Sequence, residues 1–172
     1  KLAPANDATA AAPSLPTTTR DAPIAGAAKI HRWQQNKEKT VDLLCKEFGP
    51  HFFNFNGSSR PYLLAVEKSD RYYFHSMAQD YLEKLSILYA TFMQKFREPV
   101  GLSDIEDDVL IVIVFKDRES FDEYCRGKNS PFSPLVNGVY EFGNRRVVTY
   151  HDSRAPFDVI FHEGVHQLVH HF

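Results

Sequence analysis

The sequence predicts an α+β domain, and three observations carry that expectation. Met77, Tyr81, Leu85, Leu88, Tyr89, Phe92, Met93 and Phe96 form one apolar stripe at helical spacing, the mark of a long helix. The run Val109–Phe115 is apolar at every position, as a strand covered on both faces must be. A second periodic segment, residues 157–172, places Phe157, Ile160, Phe161, Gly164, Leu168 and Phe172 on one helical face. Helices and strands of this kind pack as a mixed sheet with helices against it, here expected on one side.

The elements follow in order. Residues 1–28 are rich in Ala, Pro and Thr, cannot bury enough apolar surface to offset their ordering entropy, and read as a flexible leader. Residues 29–172 then form the folded part, which reads as the N-terminal part of a longer domain. Ile30, Trp33, Lys37, Val41, Leu44 and Phe48 recur at helical spacing until Gly49-Pro50 stops the run. Tyr62–Glu67 reads as a strand and Tyr72–His75 as a second short one. The long helix ends at Pro99 and Gly101, and the apolar strand 109–115 follows. Asp117 is placed to cap a short helix through Phe121 and Tyr124. Gly138–Phe142, the turn Gly143-Asn144 and Arg146–Tyr150 form a hairpin. Pro156 suits the first turn of the last helix, with Asp152 or Ser153 as its cap.

Composition narrows the function. A length of 172 residues, 43% of them hydrophobic, suits one well-packed domain. A net charge of −2 gives no electrostatic case for nucleic acid or an anionic membrane surface. No stretch approaches the roughly 18 apolar residues of a spanning helix. Cys45 and Cys125 lack a CxxC context, which argues against a thiolate metal site and leaves one disulfide or two buried thiols. No Gly-x-Ser-x-Gly is present and neither cysteine has a nucleophile-like setting. The Ala/Pro/Thr-rich opening suits a protein exported to the periplasm or cell envelope, or alternatively a plain linker.

Chemistry concentrates in the last helix, which reads His162-Glu163-Gly164-Val165-His166, an HExxH. Residues at i and i+4 share a helical face, so His162 and His166 can present two imidazole nitrogens to one metal ion. Glu163 is turned roughly 100° away, where it can hold a metal-bound water and take its proton. The bland reading is a buried helix whose histidines are satisfied by hydrogen bonds.

With that motif at the end of this element order, the chain resembles the zincins, metallopeptidases that place a long backing helix and a mixed sheet ahead of an HExxH helix. It resembles more closely an uncharacterised bacterial family of exported, gluzincin-type peptidases. The matching residues are Phe115-Lys116-Asp117-Arg118, Gly138-Val139-Tyr140 and His162-Glu163-Gly164-Val165-His166-Gln167. The resemblance covers about two-thirds of the chain, and HExxH is its chemically specific element. It implies a zincin-like mixed sheet, His162 and His166 as zinc ligands, Glu163 as general base, Zn2+ as cofactor, and hydrolysis of a peptide or protein substrate by a metal-activated water. It also implies that Gly138, Val139 and Tyr140 form an edge strand that pairs with an extended substrate; an ordinary hairpin arm is the alternative.

A catalytic zinc needs a third protein ligand. Val169 and Phe172 stand where the metzincin pattern requires Gly and His, which excludes that subclass. A gluzincin draws its third ligand from a later helix, so the resemblance places that ligand beyond Phe172. His170 lies a further i+4 step along the helix and about 12 Å from His162, too far to share one small ion. His170 and His171 therefore read as terminal polar residues, while His151 or Asp152 could approach from the hairpin end. A degenerate zincin that binds a protein or peptide without catalysis, and a structural domain with a fortuitous motif, are the competing expectations. Oligomeric state is not legible.

Overall fold

The computed structural model describes residues 25–69, 74–128, 136–154 and 157–172. Along them run α1 (Ala25–Phe48), β1 (Phe53–Ser59), β2 (Tyr62–Glu67), α2 (Phe74–Val100), β3 (Leu110–Phe115), α3 (Arg118–Gly127), β4 (Gly138–Glu141), β5 (Arg146–Tyr150) and α4 (Asp158–His171). The strands form one mixed sheet in the order β1-β2-β3-β5-β4. β2, β3 and β5 are mutually parallel and make its centre, and the two edge strands are antiparallel to their neighbours. The α+β expectation holds at this level.

Helices cover both faces of the sheet, not one. Leu64, Val66, Val112, Val114 and Val147 point to one side and pack with Tyr81, Leu85 and Phe92 of α2 and Ile160 and Leu168 of α4. Leu63, Ala65, Ile113, Phe115 and Val148 point to the other and meet Leu44 of α1 and Phe121 and Cys125 of α3. Side chains alternate across a strand, so strands apolar over five or more successive positions, as Tyr62–Val66 of β2 and all of β3 are, need a layer on each side. That requirement was present in the sequence and sets the three-layer arrangement.

Several local expectations need correcting. β1 has no counterpart in the sequence reading: its Asn and Ser residues hide an antiparallel partner for β2, and a register shift between Asn54 and Gly57 breaks its alternation. Phe74 and His75 open α2 and do not belong to a strand, while residues 70–73 lie outside the described part. Aromatic residues suit strands, but here the helical stripe behind them decides. Pro99 sits within the last turn of α2, and the helix stops at Gly101, whose φ of +76° an L side chain rarely adopts. Residues 25–28 of the expected leader belong to α1; residues 1–24 lie outside the described part. Asp117 caps α3 as expected, its side chain accepting the Ser120 N–H at 2.9 Å. Cys45 and Cys125 are free thiols, and burial pushes the Cys125 thiol up. Among the described residues no helix is long and apolar enough to cross a membrane.

Candidate metal centre

α4 reaches its place through a narrow face. Ile160, Gly164, Gln167 and Leu168 are its buried residues, which turns His162 and His166 to the outside. Gly164 lets α4 approach α2, since a Cβ there would stand 2.5 Å from Leu88 Cδ2. Gln167 fastens the helix to the sheet by donating from Nε2 to the carbonyls of Ile111 (3.0 Å) and Arg145 (3.3 Å). Phe157 packs edge-on against Tyr81, and Phe172 stacks on Phe92 while remaining 44% exposed. The expected capping of α4 does not occur. Phe157 occupies the cap without a side-chain hydrogen bond, and Asp152 instead accepts the backbone N–H and guanidinium of Arg154. Pro156 lies outside the described residues.

The two motif histidines lie side by side, their ring centroids 5.0 Å apart and their planes at 77°. Both are exposed, and neither ring has a hydrogen-bond partner among the described residues. A pair of imidazoles on one helical face, with nothing else using their nitrogens, fits two ligand positions of a tetrahedral zinc site. Flanking them, Val165 and Val169 are 41% and 62% exposed.

Glu163 is not on that open face. It is half-buried, and its Oε2 accepts the backbone N–H of Tyr140 at 2.8 Å. Tyr140 lies on β4, an edge strand of the sheet, so Glu163 uses one outward donor of that edge. Its partner residue is fixed twice, because the Tyr140 hydroxyl is hydrogen-bonded to His170 Nδ1 at 2.7 Å and burial raises the phenol's pKa. Gly138 is where α4 crosses β4. A Cβ on it would lie 2.4 Å from Val159 Cγ1 and 3.0 Å from the Val148 carbonyl, so only glycine fits. Val139, between them, pairs with Val148 of β5 and is half-buried.

The other histidines have separate duties. His151 Nδ1 is 3.2 Å from the Tyr81 hydroxyl, and burial lowers its pKa against the opposing pull of Asp152. His171 Nδ1 is 3.2 Å from Arg145 Nη2 and 3.6 Å from Asp108 Oδ2. An arginine only donates, so that nitrogen accepts from Arg145, in keeping with a pKa that burial lowers; the Asp108 approach is too long for a competing bond. His151, Asp152, His170 and His171 therefore do not join the motif pair, and among the described residues no group of three or more His, Cys, Asp or Glu is disposed around one ion. The roles of His170 and Gln167 as internal fasteners were not readable from sequence, because both depend on which strand lies under the helix. Comparison with protein-family models, curated proteins and solved structures finds no match to this chain.

Proposed function

We propose that this chain carries the HExxH half of a zinc-dependent peptidase, with His162 and His166 as metal ligands, Glu163 as general base, and a third ligand contributed by residues beyond Phe172. The observation that carries this reading is the exposed His162–His166 pair, 5.0 Å between ring centroids, beside a Glu163 held by the edge strand. The partly exposed Val165 and Val169 beside the histidines support a covering element over this face. The zincin-like arrangement, an antiparallel edge strand running past the HExxH helix, is the finer fold that the resemblance implies, and β4 beside α4 supports it.

Zinc in this position would supply a Lewis acid that polarises a substrate carbonyl and lowers the pKa of water. The chain's own contribution is to place the base and the strand. With Oε2 tied to the Tyr140 N–H, the Glu163 carboxylate cannot swing freely, and Oε1 is the oxygen left to accept a proton and hand it to the leaving amine. An antiparallel strand residue that turns its N–H outward turns its C=O outward too. The Tyr140 carbonyl is thereby offered to an extended peptide, while Gly138 keeps the strand close enough to α4 to lie alongside the base.

The test is zinc content by elemental mass spectrometry on this chain and on the native-length protein, with hydrolysis of a quenched peptide library read in parallel. We expect one zinc per native-length molecule, lost in His162→Ala and kept in Glu163→Gln. Glu163→Gln should lower kcat by roughly 100- to 10,000-fold. Zinc bound with no hydrolysis in any form would favour a non-catalytic peptide-binding domain, and no zinc in either length would overturn the reading.

A further inference from the structure

Past the motif, α4 carries one more residue that reaches the edge strand. Glu163 and His170 are seven positions apart, two helical turns, so they share a face and stand roughly 10.5 Å apart along the axis. Both contact Tyr140. Glu163 Oε2 accepts its backbone N–H at 2.8 Å, and His170 Nδ1 lies 2.7 Å from its hydroxyl. One strand residue is thus held by two turns of the helix, its backbone at one end and its phenol at the other. Tyr140 is 4% exposed, and its ring meets the His170 ring edge-on, with Phe142 against both.

The two bonds have different consequences. Glu163 can stay on the N–H only while that N–H points at α4, and an edge strand has no further strand outside it to fix that direction. Gly138 under Val159 is a close contact but an undirected one. The phenol bond is directional, and it anchors the residue that carries the N–H. Arg145 also approaches the Tyr140 hydroxyl, but it belongs to the β4–β5 turn and moves with the hairpin. Among the described residues it is His170 that ties this phenol to α4. A phenol can donate or accept, so the bond forms with either tautomer of the imidazole.

We propose that His170 is a positioning residue for Glu163: by holding the Tyr140 phenol it fixes the direction of the Tyr140 N–H, and through it the carboxylate. The functional stretch of α4 thereby extends from His162 to His170, with the last histidine seating the base and not joining the metal. What this does for catalysis rests on the peptidase reading above; the seating of the carboxylate does not.

Hydrogen exchange measured residue by residue by NMR on the metal-free chain tests the seating, because Glu163 Oε2 is the acceptor of the Tyr140 amide. We expect His170→Ala to speed exchange at Tyr140 about three- to tenfold, the worth of one hydrogen bond, while Val147 and Val148 inside the sheet keep their rates. Glu163→Ala, which removes the acceptor, sets the upper limit of that acceleration. His170→Asn can place an amide near the position of Nδ1 and should restore most of the protection, whereas His170→Phe keeps a ring without a nitrogen and should not. In a form shown to hydrolyse the quenched peptides, His170→Ala should lower kcat by a similar factor at unchanged KM and zinc content. Unaltered exchange at Tyr140 in His170→Ala, equal acceleration at Val147 and Val148, His170→Phe as protected as the native chain, or an unchanged kcat would overturn the proposal. Absence of zinc or of hydrolysis would sink the peptidase reading and leave the exchange result standing.

Discussion

Two polar clusters in this molecule use similar residue types to opposite ends. Around Arg146, whose side chain is 3% exposed, nearly every valence is spent: Nε donates to Glu141 (2.8 Å), Nη1 and Nη2 bind Glu47 as a fork (2.7 and 2.8 Å), and Nη2 also reaches the Tyr124 hydroxyl. Phe48 and Tyr124 lie against the guanidinium. Around His162 and His166 nothing is spent, and both rings face outward. A buried charge survives only if its partners are all present, whereas a ligand site must keep valences free. The Arg146 cluster therefore ties α1, α3 and the β4–β5 hairpin together, and the histidine face is the part of the molecule left for something else.

The largest expected effect breaks the first cluster. Arg146→Met removes the fork and leaves Glu47 and Glu141 facing each other without their shared cation, which should cost roughly 3–5 kcal/mol in urea unfolding. Lysine should not rescue it, because a point charge cannot bind two carboxylates through a planar fork. Any zinc held by the proposed His162–His166 site should not change per folded molecule, since that pair shares no residue with this cluster. Loss of zinc binding at temperatures where the variant is still folded would show that the two regions are coupled.

Much of this contrast was hidden in the sequence, for a physical reason. Period and composition are local, so the α2 stripe, the β3 run, the β4–β5 hairpin and the HExxH spacing were all legible. The Arg146–Glu47 pair spans 99 positions, and nothing near either residue announces the other. β1 escaped because its apolar/polar alternation lasts only from Phe53 to Asn56 before Gly57-Ser58-Ser59 and the register shift end it, too short a signal to mark a strand. Gln167 looked like one more motif residue, yet its amide holds α4 to β3 and the β4–β5 turn, a role decided by the backbone beneath it. The candidate site was legible in its chemistry, His162, Glu163 and His166. The seat of Glu163 on the Tyr140 N–H was not, because it depends on how closely α4 passes β4.

That close passage gives a second, intermediate effect. Gly138→Ala would drive a methyl group to 2.4 Å from Val159 Cγ1 and 3.0 Å from a backbone carbonyl, and overpacking of this kind costs about 1–3 kcal/mol. Pairing it with Val159→Ala should recover part of the loss, because only the nearer of the two clashes disappears. Under the proposed peptidase function the single variant should lower kcat more than it raises KM, since moving β4 from α4 loosens Glu163 before it disturbs the rest of the strand. A KM effect alone would place Gly138 in substrate pairing and not in seating the base.

The smallest effect is a titration that separates the two clusters by acid. The hydrogen bond from Arg146, helped by Lys128 and opposed by burial, holds the Glu47 carboxyl down at about 2. Its folded pKa lies below its ordinary value of 4.5, so the unfolded chain binds the proton more readily. The stability this group contributes is complete above the ordinary carboxylate range and is lost as pH falls from about 4.5 through about 2. Glu47 is partly exposed, so solvent screens the pair and the measured change should be well short of what the full shift would give. Unfolding free energies measured between pH 5 and pH 2 should fall more steeply in the native chain than in Glu47→Gln, with the two curves converging at the acid end. Equal slopes would mean that Arg146 is held mainly by Glu141 and Tyr124, and that Glu47 adds little to fastening α1.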